Sequence, residues 1–406
     1  MGNMTTEDYI AREDKYGAHN YHPLPVVLAR GEGVHVWDVE GKHYYDFLSA
    51  YSAVNQGHCH PKIIAALKEQ AETLTLTSRA FHNDVLGEYE EYLTRYFGYD
   101  KVLPMNTGAE GDETAIKLCR KWGYMKKGIP QDQAKIIVCE NNFHGRTTTI
   151  ISFSTDPEAK RDFGPYTPGF ITIPYNDLKA LEDIASDPTV AGFLVEPIQG
   201  EAGVYVPDEG YLKGAYDICR KNNVLFIADE IQTGIARTGK LLAVDHEGVR
   251  PDVLILGKAL SGGVFPVSAV LADDDIMLCI KPGEHGSTFG GNPLGSKVAI
   301  AALEVVKEEK LAERSEVLGK IFREELRKID SDMIELVRGK GLLNAVVIKP
   351  KNGKEAWDVC VAMKDNGLIA KPTHNDIIRF APPLVITEEE IMECIEIIKK
   401  TLKEFD

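Results

Sequence analysis

The sequence predicts an α/β protein with a large, mostly parallel α/β domain and a small α+β domain built from both termini. From about residue 100, short apolar runs alternate with segments of helical spacing, as in buried parallel strands joined by crossover helices. These runs are KIIVC, FITIP, AGFLVE, VLFIAD, VLILG and VSAVLA. The length of 406 residues also exceeds what one hydrophobic core usually supports, which indicates two domains.

The elements predicted for the small domain come from both ends of the chain. GVHVWDVEGKHYYDF alternates apolar and polar residues around Glu40-Gly41, as a β-hairpin does. Residues 295–329 are strongly helical in composition and lack proline, which predicts a bridging helix. Thr387 and Glu390 form a possible capping box ahead of a closing helix. The predicted divisions are 1–48 (N-terminal part of the small domain), 49–295 (large domain) and 296–406 (bridging helix and C-terminal small domain).

Composition excludes several classes of function. The chain has 46 basic and 62 acidic residues, a net charge of −16, which disfavours a surface that neutralises nucleic-acid phosphates. Seven cysteines without a CxxC pair suggest neither a disulfide framework nor a zinc knuckle. No apolar run approaches the roughly eighteen residues of a membrane helix. We expect a soluble protein that acts on small molecules in the cytoplasm, or in the mitochondrial matrix if a leader was removed.

Three apolar runs end in charged residues that indicate a functional site. VLFIAD ends at Asp229, AGFLVE ends at Glu196, and Lys258 follows VLILG. Parallel sheets bind ligands at the carboxyl ends of their strands, so these groups are predicted to share one rim. Alone, Lys258 could be an ordinary strand-terminal lysine and Asp229 a helix cap. Together they suggest pyridoxal phosphate, which needs a lysine for its aldehyde and a carboxylate for its ring nitrogen.

The third requirement of that cofactor is a phosphate cradle, and two glycine-rich segments offer one. NTGAEGDETAIKL runs from a turn into a helix, where free N–H groups and the helix dipole favour an anion. Gly108 and Ala109 are the predicted donors. In HGSTFGGNPLG, Ser287 and Thr288 carry hydroxyl groups that can donate to phosphate.

A resemblance to a known family covers essentially the whole chain. The matching stretches are YGAHNYHPLPVVL, FLSAYSAVNQGHCHPKI, LTLTSRAF, KVLPMNTGAEGDETA, NNFHGRT, VEPIQGEAGV, FIADEIQTGIARTG, LGKALSGG, PGEHGSTFGGNPLG, VRGKGLLNA and IIRFAPPLVI. In this order and spacing they resemble the ω-aminotransferase subgroup of fold-type I pyridoxal-phosphate enzymes.

The resemblance implies a role for each cofactor contact. Lys258 would hold the aldehyde and shuttle the proton between substrate and cofactor. Asp229 would pair with the pyridinium nitrogen, Gln232 would bond the phenolic oxygen, and Phe143 would stack on the ring. These residues form the predicted catalytic pair, Lys258 and Asp229, and the ring-binding set around it.

The resemblance also implies a homodimer with shared active sites. Gly108 and Ala109 would hold the phosphate from one subunit, while Thr288 would reach it from the other. A single chain would therefore have only half of the cradle.

The activity that the resemblance implies is transfer of the δ-amino group of L-ornithine to 2-oxoglutarate, which gives glutamate 5-semialdehyde and glutamate. Arg379 would bind the α-carboxylate of glutamate, and Glu201 would pair with Arg379 when ornithine is bound. Tyr21 and Arg146 would hold the α-groups of ornithine, with Tyr51 lining the pocket. Planar arginine suits carboxylates because it can donate two parallel hydrogen bonds.

Alternatives remain open at this stage. His144 stands where many members of the ornithine-specific branch have tryptophan, and it is similar to the acetylornithine and 4-aminobutyrate aminotransferases. From a different class, a scaffold protein could keep the fold without turnover. His58, Cys59 and His60 resemble a metal cluster, but adjacent residues of an extended strand point to opposite faces, so no metal site is predicted.

Overall fold

The structure, a computed structural model, describes residues 4–406, so residues 1–3 at the start of the first predicted domain lie outside it. The strands are β1 (Leu28–Glu32), β2 (His35–Asp38), β3 (His43–Asp46), β4 (Lys101–Met105), β5 (Lys135–Cys139), β6 (Phe170–Ile173), β7 (Val190–Val195), β8 (Leu225–Asp229), β9 (Val253–Leu256), β10 (Ser268–Ala272), β11 (Ile334–Lys340), β12 (Leu343–Ile348), β13 (Leu368–Ile369), β14 (Lys371–Thr373) and β15 (Ile377–Phe380). The α-helices are α1 (Thr6–Tyr16), α2 (Ser49–Ser52), α3 (Pro61–Thr73), α4 (Leu86–Phe97), α5 (Gly108–Trp122), α6 (Thr148–Ser152), α7 (Pro157–Lys160), α8 (Leu178–Ala185), α9 (Tyr211–Lys221), α10 (Asp274–Met277), α11 (Pro293–Glu308), α12 (Leu311–Arg327), α13 (Ala356–Asp365) and α14 (Glu388–Lys403). Within residues 4–406, no helix combines the length and the apolar character needed to cross a membrane.

A seven-stranded sheet with the order β4-β10-β9-β8-β7-β5-β6 forms the centre of the fold. The strands from β9 to β6 pair in parallel, which confirms the predicted α/β class. The prediction of a further parallel strand at VSAVLA is wrong, because β10 pairs antiparallel with both β9 and β4. All five residues of β10 are buried, and a fully buried run has the same apolar character in either direction. The edge strand β4 was not predicted, since Lys101 and Pro104 interrupt its apolar pattern.

The carboxyl ends of four strands meet at one edge of this sheet. β4 and β9 run in the same direction because each is antiparallel to β10. Register places Asp229 of β8 beside Ile255 of β9, and Val195 of β7 beside Ala228 of β8. The residues that follow β4, β7, β8 and β9 therefore surround one crevice, as expected for a sheet of this type.

The N-terminal hairpin and the C-terminal part of the chain share a sheet. β2 and β3 pair antiparallel, as predicted around Glu40-Gly41. β13 then adds in parallel to β3, with Leu368 opposite Tyr45, so this sheet contains strands from both termini. A third sheet with the order β11-β12-β15-β14 comes entirely from the C-terminal part. The exact domain boundaries stay a prediction.

The predicted bridging helix is two helices rather than one. α11 ends at Glu308, and Lys310 adopts left-handed backbone angles, with φ 51°, before α12 begins at Leu311. Neither glycine nor proline marks this break, so helical composition alone could not show it. The turn lets the fully buried Leu311 and Phe322 pack in the core, and that burial offsets the cost of the left-handed residue.

A buried arginine joins the loop after β8 to the C-terminal part of the chain. The guanidinium of Arg237 is fully buried and donates to Asn55 Oδ1 and to the carbonyl oxygens of Leu342 and Pro382, at 2.5 to 3.1 Å. Ser315 Oγ in α12 donates in turn to the Arg237 carbonyl at 2.8 Å. Burial lowers the pKa of Arg237 to about 9. The hydrogen bonds to these acceptors offset the free-energy cost of burying the charged guanidinium.

The closing helix starts with the predicted capping box. The Thr387 hydroxyl accepts from Glu390 N at 3.2 Å, and the Glu390 carboxylate accepts from Thr387 N at 2.8 Å. Both bonds satisfy N–H groups that the helix itself cannot pair. Most of the predicted apolar face of α14 is buried: Ile391, Cys394, Ile395, Ile398 and Leu402.

We expect Thr387→Ala to lower the free energy of unfolding by about 1 kcal/mol, because the first turn of α14 loses its cap. Chemical denaturation followed by circular dichroism measures the change. Thr387→Ser keeps the hydroxyl and is the matched control. Equal stability of the alanine and serine variants would contradict this account.

Candidate active site

A cavity of about 170 Å³ opens at the carboxyl edge of the large sheet. Its lining comes from segments that follow the strand ends described above. The lining residues are Gly108, Ala109, Asp112, Phe143, His144, Gly145, Glu196, Glu201, Asp229, Ile231, Gln232, Thr233 and Lys258. The structure thus brings together eight residues predicted from the sequence: Gly108, Ala109, Phe143, Glu196, Glu201, Asp229, Gln232 and Lys258.

Lys258 enters this cavity directly after β9 and Gly257. Its backbone lies in the left-handed region, with φ 44°, and among residues 4–406 its amine has no hydrogen bond or ion pair to a side chain. Burial lowers the pKa of Lys258, helped by the charge of Arg379 and opposed by Glu201 and Asp229. The site therefore contains an amine that is free to react with a carbonyl group.

Asp229 ends β8 and is held in a fixed orientation. Its Oδ1 accepts from Ile231 N at 3.0 Å, and its Oδ2 is 2.6 Å from His144 Nδ1. Asp229 is buried and lines the same cavity as Lys258. A cationic ring nitrogen between them would find a carboxylate already oriented towards it.

The first turn of α5 borders the cavity with unpaired backbone N–H groups. Thr107 caps the helix in a capping box with Glu110, and the N–H groups of Gly108 and Ala109 precede the first intrahelical donors. Gly145 approaches this turn closely: a Cβ there would lie 2.7 Å from the Ala109 Cβ. A side chain at position 145 would therefore fill the approach to a site that suits an anion.

Phe143 and Gln232 line the same cavity, and each donates a hydrogen bond to a carboxylate. Phe143 N donates to Glu196 Oε1 at 2.8 Å, and burial raises the pKa of Glu196 to about 8. Gln232 Nε2 donates to Glu201 Oε1 at 2.9 Å. The buried Gln232 Oε1 has no partner among the described residues, so it is available to a ligand hydroxyl.

Arg379 and Glu201 form a buried, two-pronged ion pair. Arg379 Nη1 lies 2.9 Å from Glu201 Oε1 and Nη2 lies 3.4 Å from Oε2. Burial acts to raise the pKa of Glu201, but the charges of Arg379 and Lys258 and the hydrogen bonds lower it to about 2. Glu201 is therefore ionised at neutral pH and is matched by the guanidinium of Arg379. The arginine, on β15, is masked by a carboxylate that sits on a loop.

Tyr51 lies between this ion pair and the lysine. The Tyr51 ring centroid is 5.1 Å from Arg379 Cζ and 5.9 Å from Lys258 Nζ, within the range of cation–π attraction. All four residues of α2, at positions 49–52, have positive φ angles. Each such residue costs about 1 kcal/mol or more, and the turn aims the tyrosine ring at both cations.

The remaining predicted substrate residues lie further out. Arg146 is exposed and lines a second cavity, of about 350 Å³, which also contacts Phe143 and Glu201. Tyr21 is 73% exposed, with Lys371 Nζ 6.0 Å from its ring centroid. Tyr21 lines neither of these two cavities in the described structure.

Ser287 and Thr288 also lie outside the first cavity of their own chain. Ser287 Oγ accepts from Asn106 Nδ2 at 2.8 Å, next to the start of α5. Thr288 is exposed. That Thr288 serves the site of a second subunit stays a prediction.

Asp112 was not predicted and is the main residue that the sequence analysis missed. It lies on the inner face of α5, one turn after Gly108, and is fully buried beside His144 and Asp229. An acidic residue on the otherwise apolar face shared with Ala115 and Ile116 is the signal that could have identified it.

Pyridoxal phosphate fits the residues present. Lys258 and Asp229 line one cavity, the α5 turn offers an anion site, and Gln232 Oε1 is a buried acceptor without a partner. The donor set therefore suits an aldehyde, a protonated ring nitrogen and a phosphate.

Comparisons with known proteins agree with this geometry. The family model "Aminotransferase class-III" matches residues 16–402. The chain is 65% identical to the rat protein named "Ornithine aminotransferase, mitochondrial", over 100% of this chain and 92% of that one.

Two solved structures are also similar. One is an ornithine aminotransferase from Toxoplasma gondii, described with partial occupancy of PLP at its active site (TM-score 0.97, 53% identity, covering 99% of this chain and 95% of that one). The other is an acetylornithine aminotransferase from Elizabethkingia anophelis (TM-score 0.92, 66% identity, covering 98% and 99%). From this site and these similarities we conclude that the chain belongs to the class-III aminotransferases.

Proposed function

We propose that this protein transfers the δ-amino group of L-ornithine to 2-oxoglutarate. The products are glutamate and glutamate 5-semialdehyde, which cyclises to pyrroline-5-carboxylate. The observation that carries the proposal is the Glu201–Arg379 pair beside Lys258. An ω-amino substrate and an α-amino substrate must use one pocket in turn, and a maskable arginine meets that need. The identity with ornithine aminotransferases supports the same activity.

The cofactor is pyridoxal phosphate, as in the family to which the chain belongs. When bound, it supplies an aldehyde that takes up the amino group and a pyridinium ring that withdraws electrons from the substrate carbon. Lys258 Nζ would hold the aldehyde of the bound cofactor covalently. When not bonded to the cofactor, its amine would carry a proton to and from the substrate carbon. The lowered pKa of Lys258 favours both steps, because each needs an uncharged amine.

The other cofactor contacts follow the predicted roles. Asp229 keeps the ring nitrogen protonated, and Gln232 Oε1 accepts from the phenolic hydroxyl. Phe143 covers one face of the ring. Support for these roles comes from the shared cavity, the fixed orientation of Asp229 and the unpartnered Gln232 oxygen.

The phosphate is held by two subunits of a homodimer. Gly108 and Ala109 donate from the α5 turn of one subunit, and Thr288 of a second copy donates its hydroxyl. Ser287 supports the turn through Asn106. The exposure of Thr288 in the single chain supports this arrangement.

Substrate charge decides the state of the pocket. When ornithine is bound, its reacting amine carries no carboxylate, and Glu201 masks Arg379. When glutamate or 2-oxoglutarate is bound, Glu201 moves aside and Arg379 binds the α-carboxylate through two hydrogen bonds. Tyr51 lines the wall, and Arg146 and Tyr21 hold the α-carboxylate and α-amino groups of ornithine at the outer end.

A second candidate is acetylornithine aminotransferase activity. His144 supports it, as does the similar Elizabethkingia anophelis structure. Coupled assays with ornithine, N-acetylornithine and 4-aminobutyrate separate the candidates by their kcat/KM values.

A non-catalytic scaffold is disfavoured because the catalytic positions are intact. A visible absorption band that ornithine discharges would exclude it.

Location and domain division are also proposals. The word "mitochondrial" in the name of the rat relative supports the matrix alternative over the cytoplasm, and imaging of the tagged natural protein distinguishes them. We propose the boundaries 1–48, 49–295 and 296–406, of which residues 1–3 are outside the described structure. Shared strands in the sheet of β1, β2, β3 and β13 support a small domain made from both termini.

Lys258→Ala should lower kcat for pyrroline-5-carboxylate formation by at least about a thousandfold, because both the covalent anchor and the proton carrier are lost. The exposed Lys320→Ala on α12 is the matched control and should leave kcat unchanged. Retention of near-normal turnover by the Lys258 variant would refute the role.

Glu201→Ala should improve α-amino substrates and impair ornithine. Removing the mask leaves Arg379 free for an α-carboxylate, and we expect kcat/KM for glutamate to rise on the order of tenfold relative to that for ornithine. Steady-state kinetics with both substrates measures the ratio. Glu201→Asp keeps the charge and is the control. An unchanged ratio in the alanine variant would disprove the switch.

Thr288→Ala should weaken cofactor binding about tenfold, because one hydrogen bond to a charged phosphate is lost. Equilibrium titration of the cofactor-free protein measures affinity, and light scattering measures mass. Thr288→Ser restores the hydroxyl as a control. If light scattering shows a monomer that still binds the cofactor with full affinity, the proposal that two subunits share the phosphate site is contradicted.

A further inference from the structure

Three titratable groups are buried together beneath the cofactor pocket. They are Asp112 on α5, His144 in the loop after β5, and Asp229 at the end of β8. His144 Nδ1 lies 2.6 Å from Asp229 Oδ2 and 3.6 Å from Asp112 Oδ1. One nitrogen or oxygen of each residue lies within 4.8 Å of the others. The cofactor needs only Asp229, so the other two members require an explanation.

Asp112 lacks the partners that a buried carboxylate needs. The residue is 0% exposed, and neither carboxyl oxygen has a hydrogen-bond partner among the described residues. An ionised carboxylate without donors is far more costly to bury than a neutral acid. Among residues 4–406, His144 is the one cationic candidate within 4 Å of Asp112, and the closer partner of His144 is Asp229.

The charges that surround Asp112 act in the same direction. Burial raises the pKa of Asp112 well above its ordinary value, and Asp229, Glu196 and Glu113 raise it further, against the charge of Lys258. For His144, burial acts to lower the pKa, but the hydrogen bond and charge of Asp229, with the charge of Glu196, raise it overall. His144 Nε2 has no partner among the described residues. The imidazole is thus committed to Asp229 through Nδ1.

We propose that Asp112 is a neutral carboxylic acid in the working enzyme and a positioning residue for the His144–Asp229 pair. Its carboxyl group packs beside the imidazole and, being neutral, does not compete with Asp229 for the imidazole proton. The proposal rests on the proposed function only in that Asp229 faces the ring nitrogen of the cofactor.

This assignment explains how two acidic residues can lie so close to one ring nitrogen. If both were ionised, they would repel each other across less than 5 Å in a dry site. The histidine proton would then be shared between two carboxylates, and its bond to Asp229 would weaken. With Asp112 neutral, the charge-assisted bond from His144 is directed to Asp229 alone. The orientation of Asp229 towards the cofactor is then fixed on both of its oxygens.

Two variants of Asp112 separate this role from simple packing. Asp112→Asn has the same shape and is neutral, whereas Asp112→Leu has similar volume but no polar atom. Infrared difference spectroscopy of the cofactor-free protein should show that the wild type has the carbonyl stretch of a protonated, buried carboxyl group that Asp112→Asn lacks, over the band that Glu196, whose pKa is raised to about 8, contributes to both proteins. This readout requires neither cofactor nor substrate.

The holoenzyme supplies the second readout. In Asp112→Asn the cofactor dissociation constant should stay within about threefold of the wild type, and the pH midpoint of the visible absorption should not move. In Asp112→Leu we expect the midpoint to shift by about one pH unit, because the His144–Asp229 pair loses its polar neighbour. A wild-type midpoint in Asp112→Asn together with a shifted midpoint in Asp112→Leu would show that Asp112 positions its neighbours and does not merely fill space.

Several results would overturn the proposal. One is an infrared spectrum in which Asp112→Asn loses an ionised carboxylate band instead of a protonated one. Another is an Asp112→Asn midpoint that moves as far as that of Asp112→Leu. A stoichiometric divalent metal ion that the wild type binds and Asp112→Asn loses would also overturn it. If Asp112→Leu fails to fold, the infrared comparison still decides. Failure of ornithine turnover alone would sink the proposed function and leave this inference intact.

Discussion

The site depends on the free-energy cost of a charge that is buried without a partner. Lys258, Glu201 and Arg379 lie close together near Asp229, and the charges of these neighbours act on the pKa values of Lys258 and Glu201. The lysine amine is the member without a hydrogen bond to a side chain in the described structure, so it is the one most ready to lose its proton. Glu201 is paired with Arg379, which lowers the pKa of its carboxyl group to about 2. One buried site can thus hold an uncharged lysine amine as a nucleophile and, at the same pH, charged groups beside it.

Backbone geometry supports this arrangement at a cost that the core offsets. Residues 49–52 form a left-handed turn that places Tyr51 between two cations, and Gly145 approaches the first turn of α5 more closely than a side chain would allow. Both features lie outside the sheets, while Lys258 and Asp229 sit at the ends of buried strands and Arg379 on β15. The rigid sheet therefore fixes the chemistry, and strained loops close the pocket around it.

Much of the fold and site could be predicted because strand ends are marked in the sequence. Buried runs located β5 to β9, and the residues after them, Glu196, Asp229 and Lys258, share a cavity. The direction of β10 could not be predicted. Both of its faces are buried, so it lacks the alternation of apolar and polar residues that would distinguish an antiparallel strand from a parallel one. The break at Lys310 has no local signal, since tertiary packing of α12 decides it. Asp112 was missed because acidic residues are also common in the first turns of helices, and only its position on the apolar face of α5 marks it as a buried acid.

The Arg237 cross-link limits how this pocket can change shape. Its guanidinium ties the loop after β8 to Asn55, Leu342 and Pro382 with no water-exposed surface. Opening the molecule at this junction would remove the hydrogen-bond acceptors of a fully buried cation. The free-energy cost of such a change is large. In the proposed switch, Glu201 would therefore move by rotation about its own side-chain bonds, while the junction around Arg237 stays closed.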